Sequence, residues 1–247
     1  MSKSATENGV ELPILAKDSN DKWISKYDLP SGPSDVRFGR SHFREDTVDP
    51  AHLDHLDDVA SKRKIGAALT YAERAFENSP STATKDALES AQRTYEDRLG
   101  DVPNNSRLGE RLGEDAARYH VIPEGFPSSE WVPLPKTPNG ADMFDQLYSL
   151  GDGKYLIVEA KAPKGDLQWR KGAGTAEGMM VKQGTKEYVR TIIAKMQSRA
   201  GRSPTEGQMA LELLKAMKAN KLQYVLVRAN ENAGSYAGAT LEYFKIT

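Results

Sequence analysis

Residues 143–161 read MFDQLYSLGDGKYLIVEAK. Two short apolar-rich runs, 143–150 and 155–160, flank Gly151-Asp152-Gly153. The glycines permit positive φ, which a tight connection between antiparallel strands requires, so the stretch is predicted to be a β-hairpin. Strand side chains alternate between faces, which puts Glu159 and Lys161 on one side and Ala160 on the other. Pairing through the turn brings Asp145 near Glu159 across the ladder. Two carboxylates and an ammonium then meet at the end of an apolar strand.

Downstream, a polar, glycine-rich stretch runs from Lys164 to Lys182, and Tyr188, Ile192 and Met196 mark a helix over about 183–199. Another helix is predicted over about 204–219, a buried strand over Tyr224 to Arg228 and a final strand over Thr240 to Ile246. Upstream, Asp49-Pro50 is a helix start, a capping carboxylate followed by proline at the first helical position. Leu53, Leu56, Val59, Ala60, Ile65, Ala68, Leu69, Ala72 and Phe76 recur at three- and four-residue steps, giving an amphipathic helix that ends near Asn78. Ser81 and Thr82 can cap a second helix that Gly100 stops, and the two should pack as a hairpin. A third helix begins near Ser106 with Leu108, Leu112, Ala116 and Tyr119 on one face. Pro123, Gly125, Pro127, Pro133, Pro135 and Pro138 then predict a loop. Residues 1–48 show no sustained period and contain Pro13, Pro30, Gly32 and Pro33, so extended segments and turns are predicted.

The fold class is therefore α/β: a mixed sheet flanked by helices, with an N-terminal helical extension. With 28% charged and 38% hydrophobic residues in 247, the composition is that of a soluble globular protein. Cysteine is absent, which excludes disulfides, thiolate zinc sites and a cysteine nucleophile. The first residues lack the apolar core of a signal peptide and no run approaches a membrane span, so neither a membrane anchor nor a cleaved leader is expected. The expected location is the cytoplasm of the producing cell. The net charge of −1 is unlike that of a wholly basic nucleic-acid binder, but Lys154 to Arg202 carries about +7.

Two carboxylates brought together repel, and a hard divalent cation relieves the repulsion. Mg²⁺, with Mn²⁺ as the alternative, suits such oxygen donors. A cation there can polarise a phosphoryl oxygen and acidify a water, while Lys161 offsets charge developing on a phosphate.

Asp145, then Glu159-Ala160-Lys161, then Gln183-Gly-Thr-Lys-Glu-Tyr188 resembles the PD-(D/E)XK nuclease superfamily, specifically the toxin domains of bacterial polymorphic and Rhs-type secreted effectors. The resemblance covers about residues 104–230. It implies a restriction-endonuclease-like fold, metal binding by Asp145, Glu159 and the backbone carbonyl of Ala160, water activation assisted by Lys161, and support from Gln183 on its helix. An early helix of the family supplies a glutamate; the segment Leu112 to Ala117 is similar to it, so Glu114 is the match and Glu110 the reserve. Tyr188 would stack or hydrogen-bond beyond Gln183. The resemblance further implies a DNA substrate, a cognate immunity protein and delivery into a target cell, with the N-terminal region available to a secretion apparatus or chaperone. The organisation becomes an irregular segment 1–48, a helical hairpin cap 49–103 and a nuclease domain 104–247.

Around this site Lys164, Arg170, Lys171, Lys182, Lys186 and Tyr188 are candidate nucleic-acid contacts. Trp169 could stack on a base or anchor its loop. The glycine-rich residues 171–178 lack the Gly-Lys-Ser/Thr ending of a phosphate loop. His52 and His55 share a helix face at metal-ligand spacing, yet they occupy polar positions between Leu53, Leu56 and Val59, as on a solvated face. His42 and His120 have no evident partner. A housekeeping repair or restriction nuclease and a catalytically silent nucleic-acid-binding module remain open beside the toxin.

Overall fold

Helix α1 (Pro50–Asn78) begins and ends at the predicted residues, with the Asp49 carboxylate accepting from the Ala51 N–H. The computed structural model describes residues 29–104, 107–135, 137 and 142–246, together with four short strands, β1 (Thr6–Glu7), β2 (Val10–Glu11), β3 (Leu15–Lys17) and β4 (Trp23–Ser25). Helix α2 (Thr82–Leu99) is opened by a capping box in which Ser81 and Thr84 satisfy each other's backbone N–H, and Gly100 ends it with a positive φ of 55°.

The third helix departs from its prediction. It runs as α3 (Arg107–Ala116), passes through a π-helical turn (Ala117–Val121), and continues as α4 (Ile122–Gly125). Pro123, predicted to open a loop, lies inside this run directly after the π-helical turn, where it donates no N–H to the turn before it. The loop begins only after Gly125 and is interrupted by strand β6 (Glu130–Trp131). Pro138 and Ser106 lie outside the described residues.

The predicted hairpin is present: β7 (Gln146–Ser149) pairs antiparallel with β8 (Tyr155–Lys161), Gln146 opposite Val158 and Ser149 opposite Tyr155. After β8 a two-stranded ribbon forms from β9 (Trp169–Lys171) and β10 (Met180–Lys182). Then come α5 (Lys186–Ser198) and α6 (Pro204–Lys218), followed by β11 (Leu222–Asn232) and β12 (Ser235–Phe244). Both last strands start earlier than predicted. With β5 (Arg37–Phe43) at one edge, the main sheet has the order β5-β12-β11-β8-β7-β6, and β8–β11 is its parallel pair, so the sheet is mixed and mostly antiparallel. Strand β5 arises within the segment predicted to be irregular and lies against β12.

Alternation along β8 sorts the core into two layers. Leu156, Val158 and Ala160 face α1, α3 and α4, whereas Ile157 faces α5 and α6 together with Leu147, Tyr224 and Leu226. Fully buried Leu56, Leu112, Ile122, Ile157, Leu213 and Leu226 fill these layers. Each such side chain contributes roughly 1.5–3 kcal/mol by leaving water. The first half of α1 packs on the sheet through Leu56, Val59 and Ala60, and its second half meets α2 around Leu69, Tyr95 and Leu99.

Candidate active site

Asp145 lies one residue before β7 and would fall opposite Glu159 if the Gln146–Val158 ladder were continued by one step. Its Oδ2 accepts the backbone N–H of Ala160 at 2.8 Å, which ties it across the hairpin to the strand that carries Glu159. The odd-numbered positions of β8 face α5 and α6, so Glu159 and Lys161 lie on that side. Lys161 Nζ donates to Glu159 Oε1 at 2.5 Å and lies 4.0 Å from Asp145 Oδ2. The three predicted residues therefore converge. Glu159 is deeply buried, with 1% of its side chain exposed, whereas Asp145 retains 27% and Lys161 14%.

This arrangement is electrostatically costly. Burial and the neighbouring Glu159 push the Asp145 carboxyl well above the usual aspartate range, and Glu114 adds to the rise; Lys161 and the Ala160 N–H oppose it. One ammonium thus serves two carboxylates. Glu114, exposed on α3, is brought within electrostatic reach of Asp145. Gly113 makes that approach possible: a Cβ there would meet the backbone of Lys161 at 2.7–3.0 Å, so only glycine lets α3 lie against the end of β8. Behind it, the Gln146 amide donates to the Glu114 carbonyl at 2.7 Å and fixes helix to strand.

Gln183 is buried, but its place differs from the prediction. It lies in the turn between β10 and α5, because Gly184 takes a φ of +86° and Thr185 caps the helix that starts at Lys186. From there its Oε1 accepts the Gln168 N–H at 2.7 Å, anchoring the approach to β9. Tyr188 is only 4% exposed and cannot stack on a base; burial together with Glu159 and Asp145 holds its phenol well above its ordinary pKa, and the nearby Gln183 side chain opposes the rise. Of the two roles anticipated for Tyr188, its burial removes the stacking one.

Among the other candidate phosphate contacts, Lys164, Arg170 and Lys171 are exposed and Lys186 is half-buried. Lys182 is engaged: its Nζ pairs with Asp35 at 2.9 Å and lies 5.9 Å from the centre of the Trp169 ring. Trp169 itself is 37% exposed on β9. His55 bonds Asp115 at 2.8 Å and His52 stacks on Tyr119, with ring centroids 4.7 Å apart.

Two residues of the site escaped sequence reading. Tyr224 donates to Glu159 Oε2 at 2.6 Å from β11, and Arg228, four residues on, hydrogen-bonds the Gly165 carbonyl and holds the chain leaving β8. In sequence both belong to an apolar strand pattern, and only the parallel register, Leu226 beside Glu159 and Arg228 beside Lys161, reveals them.

Among the described residues no group of three or more His, Asp or Glu side chains is placed to hold a metal ion. Asp145 and Glu159 supply carboxylate oxygens, and a small hard cation that keeps much of its water shell needs few protein donors. Burial and the neighbouring Glu159 both disfavour a second negative charge at Asp145, and a cation between the two carboxylates would offset the second of these. The residues therefore fit a hydrated divalent cation. Comparison with protein-family models, with curated proteins and with solved structures gave no match.

Proposed function

We propose that this chain is a metal-dependent nuclease that hydrolyses phosphodiester bonds, with a restriction-endonuclease-like core. The observation that carries this reading is the meeting of Asp145, Glu159 and Lys161 at one end of the β7–β8 hairpin, with exposed Lys164, Arg170 and Lys171 on the segment that follows. Hairpin β7–β8, helix α3 on one face, and parallel β11 reached through α5 and α6 on the other accord with such a core.

Asp145 and Glu159 would hold Mg²⁺ or Mn²⁺, which supplies a polarised phosphoryl oxygen and an acidified water. Lys161, once released from Glu159, presents an ammonium to that water and to the phosphate oxygens. Glu114 adds negative charge from the open side. Lys164, Arg170 and Lys171 grip flanking phosphates, an interaction that weakens steeply with salt. DNA as substrate, action as a secreted antibacterial toxin and neutralisation by a cognate immunity protein rest on the resemblance carried by Glu159-Ala160-Lys161 and Gln183.

Plasmid nicking with Mg²⁺ against EDTA tests the chemistry. Cleavage should require the metal and vanish in Glu159→Ala and Lys161→Ala; equal cutting in EDTA, or by either variant, rejects the mechanism. One contact favours a second reading: the 2.5 Å Lys161–Glu159 pair already neutralises Glu159, as a silent nucleic-acid-binding module would need. Such a module would retard DNA on a gel in EDTA and never nick it. Expression in a bacterial host separates a toxin, which should arrest growth and fragment the chromosome, from a harmless housekeeping nuclease.

A further inference from the structure

Glu159 is held from two sides. Lys161 Nζ bonds Oε1 at 2.5 Å, and the Tyr224 hydroxyl bonds Oε2 at 2.6 Å. These two donors differ in freedom. Lys161 keeps 14% of its side chain exposed on a flexible stem, so it can swing out. Tyr224 is 1% exposed, its ring lies against Phe244 with centroids 4.6 Å apart, and the Gly184 N–H donates to its oxygen at 3.4 Å. The phenol has nowhere else to go, and without Glu159 it would lose its acceptor inside the core.

Asp145 is treated alike, since the Ala160 N–H holds Oδ2 at 2.8 Å. Each carboxylate therefore has one oxygen committed to a donor of the fold. The oxygens that carry no donor of the fold are Oδ1 of Asp145 and, after Lys161 withdraws, Oε1 of Glu159, and these are the ones a cation reaches without competing for a lone pair with a fixed hydrogen bond. We propose that Tyr224 is a positioning residue that restricts Glu159 to one-oxygen coordination and so makes the site prefer a small six-coordinate cation, Mg²⁺ or Mn²⁺, over Ca²⁺. Ca²⁺ takes more oxygens and commonly draws both from one carboxylate, whereas Mg²⁺ keeps several waters in a strict octahedron. This inference rests on the metal-binding reading of the site.

Calorimetric titration of the metal-free protein with Mn²⁺ and with Ca²⁺, in the absence of nucleic acid, tests it in wild type and Tyr224→Phe. The variant keeps the ring and its contact with Phe244 and removes only the hydroxyl. Wild type should bind Mn²⁺ more tightly, and in Tyr224→Phe the Mn²⁺-to-Ca²⁺ affinity ratio should fall roughly tenfold, the lower end of effects seen when a ligand loses its supporting hydrogen bond. A merely structural tyrosine would weaken both cations by the same factor, and that outcome overturns the proposal while leaving the metal site standing. Wild type binding neither cation overturns the metal reading itself. Should Tyr224→Phe not fold, wild type carrying ¹³Cζ-labelled tyrosine decides: one buried tyrosine signal should move further under saturating Ca²⁺, which competes for the oxygen that accepts from the phenol, than under Mg²⁺, and equal shifts with both reject the inference.

Discussion

Two polar clusters lie on opposite faces of one sheet, each around a buried titratable side chain, His120 in one and Glu159 in the other. Facing α1 and α4, His120 places Nδ1 2.8 Å from the Tyr236 hydroxyl and Nε2 2.9 Å from Thr47 Oγ1, which in turn lies 2.7 Å from Glu124 Oε2. Burial holds the imidazole below its ordinary pKa against the pull of Glu124 and Glu45. A neutral ring satisfies this network. Facing α5 and α6, two carboxylates share one ammonium and the Asp145 carboxyl is pushed upward. Stability alone gives no reason for the second acid, because buried like charges are costly and apolar residues of similar volume do at least as well. One cluster completes the core and the other opposes it, which is the contrast on which the proposed catalytic role of the second rests.

The comparison breaks first on activity. Glu159→Gln should lower the rate of plasmid cleavage about 10²–10³-fold, the loss typical of removing a transition-state electrostatic group, whereas Tyr236→Phe should leave the rate of the folded protein unchanged. Equal losses would erase the distinction between the faces. Next is the resting site in EDTA: Lys161→Met strands two acids and should cost about 2–3 kcal/mol in urea unfolding, less than a fully buried pair because Lys161 is partly exposed, with Mg²⁺ recovering part of it. A metal-free variant as stable as wild type would mean that the acids do not feel each other.

Gly113→Ala should cost about 1–3 kcal/mol by thermal unfolding, as its Cβ meets the Lys161 backbone. It should also slow cleavage by displacing Glu114; an unchanged rate would remove Glu114 from the site. On the other face, Tyr236→Phe should cost about 1 kcal/mol, one hydrogen bond of a closed network.

The subtlest contrast is in pH. A carboxyl raised in the folded state contributes stability that is full below the ordinary aspartate value of 3.8 and is lost as pH rises towards its raised value. A histidine depressed in the folded state contributes stability that is full above its ordinary 6.5 and is lost as pH falls towards its lowered value. In EDTA, Asp145→Asn should therefore flatten the loss on the rising limb and His120→Gln that on the falling limb of urea midpoints against pH. Both variants flattening the same limb would contradict the assignment.

Much of the fold was legible because it is local. Asp49-Pro50, Ser81 and the 151–153 turn act through neighbouring residues, and each defines its element where the structure has it. Strand β5 was not legible. Its residues are exposed on both faces apart from Phe43, so no alternation marks it, and its existence depends on hydrogen bonds to β12 some two hundred residues away. The site divides the same way. Asp145, Glu159 and Lys161 belong to one hairpin and can be placed by counting, but the Tyr224 and Arg228 contacts depend on a parallel register that no local signal announces. Gln183 was expected on the helix and lies in the turn before it, where Gly184 takes a positive φ and Phe244 leaves no room for a Cβ, neither of which the local sequence announces.

The π-helical turn at Ala117–Val121 gives the long third helix a phase shift. A single surplus residue rotates everything beyond it by about 100° relative to a regular helix. Ile122 and Glu124 therefore sit on a face that a regular helix continuing from Glu114 would have turned elsewhere.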